Sequence, residues 1–157
     1  MKVTLLVVGK ISAKYLNDGI DQYERRLKHY INFEIKIISD IKKAKNTTEQ
    51  LQKMKEGEQI LSKIPAGAEM HLFDEKGKLF TSREFALFNQ KKMIQGLKEL
   101  VLVIGVPYGF SEQVYEKANS RISLSKMTFP HELARLLCVE QIYRAFTILN
   151  GEPYHHD

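Results

Sequence analysis

Apolar and polar residues fall into blocks along the chain, and the spacing inside each block assigns it. Lys2–Val8 is a continuous β-rich apolar run, the pattern of a strand covered on both faces. Over residues 12–30 the apolar positions Tyr15 and Leu16, then Ile20, Tyr23, Leu27 and Tyr30, follow at steps of three or four after the adjacent first pair. Asp18, Asp21, Glu24, Arg25 and Arg26 lie between them, which predicts an amphipathic helix. Residues 33–38 read as a second strand and residues 39–48 as a basic loop. Thr48 caps a helix to about Ile64 that turns Leu51, Met54, Ile60 and Leu61 inward, and Pro65-Ala66-Gly67 ends it. A strand over 69–73, a turn over 74–78 and a helix over 82–95 follow. Residues 100–104 form the most hydrophobic strand, expected at the sheet centre, and 105–109 break it. Ser111 caps a short helix to about Asn119, residues 121–124 are a fifth strand, and Pro130 opens a long helix over His131–Leu149. Residues 152–157 form a tail of the kind that ordinarily frays.

Strand and helix alternate about five times, so the expected class is α/β with a mostly parallel sheet covered on both faces. The 157 residues suit one domain with one core, spanning 1–157. In such sheets ligands sit at the C-terminal ends of strands, which directs attention to the segments after Phe73, Ile104 and Leu124.

Charge changes this picture modestly. Residues 1–66 hold 13 Lys/Arg against 8 Asp/Glu, and residues 67–157 hold 11 of each, so the whole net charge of +5 lies in the first part. That asymmetry favours a polyanionic partner over a neutral one. No apolar run is long enough to cross a membrane, and the apolar start reads as a strand rather than a signal peptide. The single Cys138 sits among Leu136, Leu137 and Val139 and reads as a buried apolar side chain, in keeping with a reducing cytoplasm. His29, His71, His131, His155 and His156 form no metal-binding spacing with cysteine, and no metal is expected. Neither a dinucleotide fingerprint nor a nucleophile elbow occurs.

Three segments carry candidate chemistry. Gly105-Val106-Pro107-Tyr108-Gly109 follows a buried strand and allows close approach of backbone to a ligand, though alone it is an ordinary turn. Residues 124–131, Leu-Ser-Lys-Met-Thr-Phe-Pro-His, combine hydroxyls with side chains that can enclose a flat ring; read locally, Thr128 is a helix cap. In the last helix, Tyr143 belongs to the core stripe and Arg144 projects from it, toward either a phosphate or an ordinary salt bridge.

The order of these segments is more specific than any of them. Ile104-Gly105, Pro107-x-Gly109, Leu124-Ser125-x-Met127-Thr128-Phe129-Pro130-His131, Glu140-Gln141-x-Tyr143-Arg144-Ala145 and Gly151-x-x-Tyr154-His155 follow in series. With Val7-x-Gly9-Lys10, Tyr23-x-x-Arg26-Leu27 and Lys55-x-Gly57-x-x-Ile60-Leu61, they make nearly the whole chain resemble the RlmH family. These are SPOUT-class methyltransferases of N3 of a pseudouridine in large-subunit (23S) ribosomal RNA. The resemblance implies a SPOUT-type parallel sheet flanked by helices, with the C-terminal part threaded as a trefoil knot. It implies S-adenosylmethionine as cofactor, held by Phe73, Gly105, Leu124, Ser125, Lys126, Met127, Thr128 and Phe129. It implies a homodimer with a composite site, in which Tyr154, His155 and Arg144 lie on the RNA-facing side. His155 is the candidate base for the N3 proton, and the assembled ribosome is the expected partner, with Lys42, Lys43 and Lys45 meeting phosphates.

Two positions depart from the family pattern. Phe73 replaces a usual leucine. Val106 replaces a usual second glycine, where a positive φ would strain a β-branched residue by about 1–2 kcal/mol and weaken cofactor binding. Other readings of the chain are a SPOUT transfer-RNA methyltransferase, a non-catalytic ribosome-binding module of the same fold, and a small α/β nucleotide-binding protein.

Overall fold

The structure is a computed structural model, and it describes residues 1–42 and 45–156. Its strands are β1 (Lys2–Val8), β2 (Asn32–Ile38), β3 (Glu69–Leu79), β4 (Glu99–Ile104) and β5 (Ser120–Ser123). The helices are α1 (Lys14–Leu27), α2 (Glu49–Ser62), α3 (Ser82–Ile94), α4 (Glu112–Lys117) and α5 (His131–Leu149). The five strands form one sheet in the order β2-β1-β4-β3-β5, and every neighbouring pair is parallel. The most apolar strand, β4, is central as its composition requires.

Alternation along each strand builds two cores. Val3, Leu5 and Val7 of β1, with Leu100, Leu102 and Ile104 of β4, face a layer made by α1, α3 and α5. Leu6, Val8, Val101 and Val103 face the opposite way, onto Ile60 of α2 and Val114 of α4. Helix α5 is the core of the first layer. Cys138, Val139, Ile142, Ala145 and Phe146 are almost fully buried along it, because it packs against both α1 and α3 as well as the sheet.

Several expectations need correction. The segment 74–78 is not a turn: β3 continues to Leu79. Phe73 and Lys78 both stand opposite Ile122, so the residues between them bulge out of the ladder. Gly77 makes this possible, since a Cβ there would lie 2.6 Å from the Ile122 backbone. Tyr15 is 74% exposed, and Leu51 and Met54 are also exposed, so these members of the two helical stripes do not reach the core. Helix α5 starts at an N-cap of Pro130, with no side-chain cap, so Thr128 does not cap it.

The tail is not frayed either. Tyr154 is half-buried against Tyr143, with ring centroids 4.8 Å apart, and its hydroxyl donates to Glu140 Oε1 at 3.0 Å.

Candidate active site

A parallel sheet delivers all its strand C-termini to one side, and a cleft opens there between the ends of β3, β4 and β5. Its volume is about 650 Å³. All eight residues expected to contact a cofactor line it: Phe73, Gly105, Leu124, Ser125, Lys126, Met127, Thr128 and Phe129.

One wall is the segment after β4. Gly105 is required by its neighbour, since an added Cβ would lie 2.7 Å from the Phe110 ring. The turn closes through Gly109, at φ +84°, whose N–H donates to the Val106 carbonyl at 3.1 Å. Ser111 then caps α4 by accepting the Val114 N–H at 3.4 Å. Phe110 meets Tyr115 edge-on, at 5.7 Å and 84°, and the Tyr115 hydroxyl donates to Asp74 Oδ2 at 2.7 Å. Burial, reinforced by that carboxylate, pushes the Tyr115 phenol above its ordinary range, so it stays a donor. The bulge of β3 is thereby tied to the wall.

The other wall is the segment between β5 and α5. Ser123 Oγ donates to the Ser125 carbonyl at 3.0 Å, and Ser125 Oγ accepts the Met127 N–H at 3.0 Å. Met127 is 76% exposed, an apolar side chain offered at the mouth. The base is formed by His131, Ala134 and Cys138 of α5. Burial pushes the Cys138 thiol well up, so it is inert there. Arg135 is buried and anchors the base to the sheet. Its Nη1 donates to the Gly9 carbonyl at 2.6 Å, and its Nη2 to the Val8 carbonyl at the end of β1.

Val106 does not behave as its replacement of glycine suggested. Among the described residues, no non-glycine residue has a positive φ. The side chain is half-buried and packs on the second core, so the expected strain is absent.

The three remaining predicted residues form a separate cluster. Arg144 donates from Nε and Nη2 to Glu140 Oε1, at 3.0 and 2.5 Å, and its guanidinium lies 4.7 Å from the Tyr154 ring centroid. His155 Nδ1 is 3.3 Å from Arg144 Nη1, and the Tyr154 hydroxyl is 3.3 Å from that of Tyr23. None of Arg144, Tyr154 and His155 lines the cleft of its own chain. The salt-bridge alternative for Arg144 is therefore realised, with Glu140 as its hub. Sequence reasoning quoted Glu140 but gave it no role, although its spacing of four from Arg144 is the signal for such a pair. Of the predicted phosphate contacts, Lys42 and Lys45 are exposed, and Lys43 lies outside the described residues.

Residues 1–155 match a family model described as "Predicted SPOUT methyltransferase". The chain belongs to the SPOUT methyltransferase family. Relatives of this SPOUT methyltransferase match it from end to end. The ribosomal RNA large subunit methyltransferase H of Parabacteroides distasonis is 55% identical over 157 residues, all of both chains. The protein of the same name from Christiangramia forsetii is 54% identical over 156 residues, 99% of each chain. That of Porphyromonas gingivalis is 47% identical over the full length of both. A structure of a probable methylase family protein from Haemophilus influenzae superposes with a TM-score of 0.50. The superposition covers 99% of this chain and 70% of that one, at 14% identity, so it bears on the fold alone. The SPOUT methyltransferase is thus an α/β enzyme whose cleft lies at the C-terminal ends of a parallel sheet, and no helix among its described residues is long and apolar enough to cross a membrane.

Proposed function

We propose that this SPOUT methyltransferase transfers a methyl group from S-adenosylmethionine to N3 of a pseudouridine in large-subunit ribosomal RNA, acting on the assembled ribosome as a homodimer. One observation carries the reading: end-to-end identity of 47–55% to proteins named ribosomal RNA large subunit methyltransferase H. The knotted threading expected of the C-terminal part belongs to the same proposal.

The cleft fits the cofactor. It has room for a nucleoside and an amino-acid chain, with Leu124 and Phe129 for an aromatic ring. Asp74 and Glu75 give it carboxylates suited to a cation. When bound, S-adenosylmethionine supplies an electrophilic methyl group, which leaves orientation and exclusion of water to the protein. The close Gly105–Phe110 contact holds one wall in place and the Ser123–Ser125–Met127 bonds hold the other.

A second copy completes the site. Arg144, Tyr154 and His155 are organised by Glu140 but lie away from the cleft of their own chain, so a partner chain brings its cluster to the cleft. Arginine only donates, so His155 Nδ1 accepts from Arg144. A neutral His155 in that state carries its proton on Nε2 and positions the RNA; it becomes a base for the N3 proton only on releasing Arg144.

The test is calorimetric titration with S-adenosylmethionine and S-adenosylhomocysteine, then labelled methyl transfer to ribosomes lacking the modification, with transfer RNA as competitor. Micromolar cofactor binding and ribosome-dependent transfer to a single pseudouridine are expected. Transfer to tRNA instead, or cofactor binding without transfer to any ribosome, overturns the assignment. His155→Ala with unchanged transfer at saturating ribosomes removes that residue from the mechanism.

A further inference from the structure

His131 lines the base of the cleft, half-buried at the first turn of α5, yet the roles above leave it idle. Its Nε2 lies 3.4 Å from Nη2 of Arg135, one helical turn on. A guanidinium carries only donors, so His131 Nε2 must be the lone-pair nitrogen and Nδ1 must bear the proton. Free imidazole side chains favour the opposite tautomer, so the protein imposes this one. Arg135 is held immobile by the Gly9 and Val8 carbonyls and is 4% exposed, which makes it a rigid template.

We propose that His131 is a fixed hydrogen-bond donor in the cleft, with Arg135 as its positioning residue, and that its Nδ1–H meets an oxygen of a bound reactant. This rests on the methyltransferase reading for the identity of that oxygen, but not for the tautomer. Two oxygens have the right chemistry. One is the carboxylate of the cofactor. The other is a carbonyl beside N3 of the target base, where a donor stabilises the charge that spreads onto oxygen as the N3 proton leaves. Burial, with the Arg135 charge beside it, also holds the imidazole below its ordinary range, against the opposing carboxylates of Glu132 and Asp40. A protonated ring would turn an N–H toward the guanidinium, so the neutral donor state is the one that fits this site.

The tautomer is measured first, without any ligand, by long-range ¹H–¹⁵N correlation on histidine-labelled protein. The expected result is a protonated Nδ1 and a bare Nε2 on His131. A majority Nε2–H form overturns the proposal. Arg135→Met, if folded, should shift His131 toward the Nε2–H form, and an unchanged tautomer in the folded variant removes Arg135 from its role.

The ligand arm does not depend on that variant. His131→Asn keeps an N–H near the Nδ1 position, whereas His131→Ala has none. If the acceptor is the cofactor carboxylate, the Ala variant binds S-adenosylhomocysteine about tenfold more weakly and the Asn variant recovers most of this. If it is a base carbonyl, binding is unchanged, while transfer at saturating cofactor falls about tenfold in the Ala variant and recovers in the Asn variant. An Ala variant with wild-type binding and transfer overturns the donor role. Should wild-type protein neither bind cofactor nor methylate ribosomes, the function reading fails, and the tautomer still decides the His131–Arg135 geometry independently.

Discussion

Replacing Gly105 by alanine tests whether the cleft wall depends on the glycine. The added Cβ would sit 2.7, 2.9 and 3.1 Å from three atoms of the Phe110 ring, and ordinary contact begins at 3.4 Å, so the ring must move by about 0.7 Å. It has little freedom. Phe110 is 8% exposed, belongs to the core formed with Val8, Val103 and Val114, and stands edge-on against Tyr115. Overpacking of this kind costs about 1–3 kcal/mol. In a chain of 157 residues each kcal/mol lowers Tm by about 2–4 °C, so the fall should be roughly 2–12 °C. Because Tyr115 binds Asp74, the shift also reaches the β3 bulge that lines the cleft, and cofactor affinity should fall about tenfold. Differential scanning calorimetry and titration with S-adenosylhomocysteine read the two effects. Adding Phe110→Leu should relieve the clash, giving a favourable coupling in a double-mutant cycle. A Gly105→Ala protein that melts within 1 °C of wild type (about 0.3 kcal/mol) and binds cofactor normally would refute the packing argument.

Three further outcomes follow from the same structure. Val106→Gly should not improve cofactor affinity, since no strain is relieved; it should lower stability by about 1 kcal/mol through lost packing and a more flexible unfolded chain, read by urea midpoint. Burial, together with the Lys92 charge, lowers the pKa of His71 despite the opposing Glu69, and the unfolded value is about 6.5. The unfolded chain therefore binds more protons below that pH, so the contribution of His71 is complete above pH 6.5 and is lost as pH falls toward its folded value; urea midpoints from pH 7.5 to 5 should show a decline that His71→Gln flattens. Tyr154→Phe removes the hydroxyl shared with Glu140 and Tyr23, and should cost about 1 kcal/mol while leaving cofactor affinity unchanged, with faster amide exchange over residues 152–156 as the local sign.

Legibility in the sequence followed the range of the interactions. Lys2–Val8 and residues 100–104 are apolar runs, and both are interior strands of the sheet. The loops at 105–109 and 124–129 were locally bland. They identified a site because of their order along the chain, and the cleft brings both together. The charged run 74–78 reads as a turn because its continuation as strand depends on β5, more than 40 residues away, and on Gly77 lying against Ile122. Tyr15 shares the spacing of its helix stripe, but phase alone does not say where a stripe ends. The tail looked unstructured because one anchor, Tyr23, lies 131 residues back in the chain, and the other, Tyr143, is reached only by folding back across the end of α5. The Arg135–His131 pair has the readable spacing of four, but its effect on tautomer depends on the Gly9 and Val8 carbonyls that immobilise the arginine.

The position of β4 between β1 and β3 has a consequence for biosynthesis. Lys2 is paired with Glu99 and Val7 with Ile104, so the first strand made has its central partner supplied only after two-thirds of the chain has been translated. Until then β1 has only β2 beside it, and its inner edge of unpaired amides and carbonyls is open. Such long-range parallel closure is slow, and an exposed apolar edge invites association with other chains. The nascent protein should therefore engage ribosome-associated chaperones until residue 104 has emerged and filled that gap.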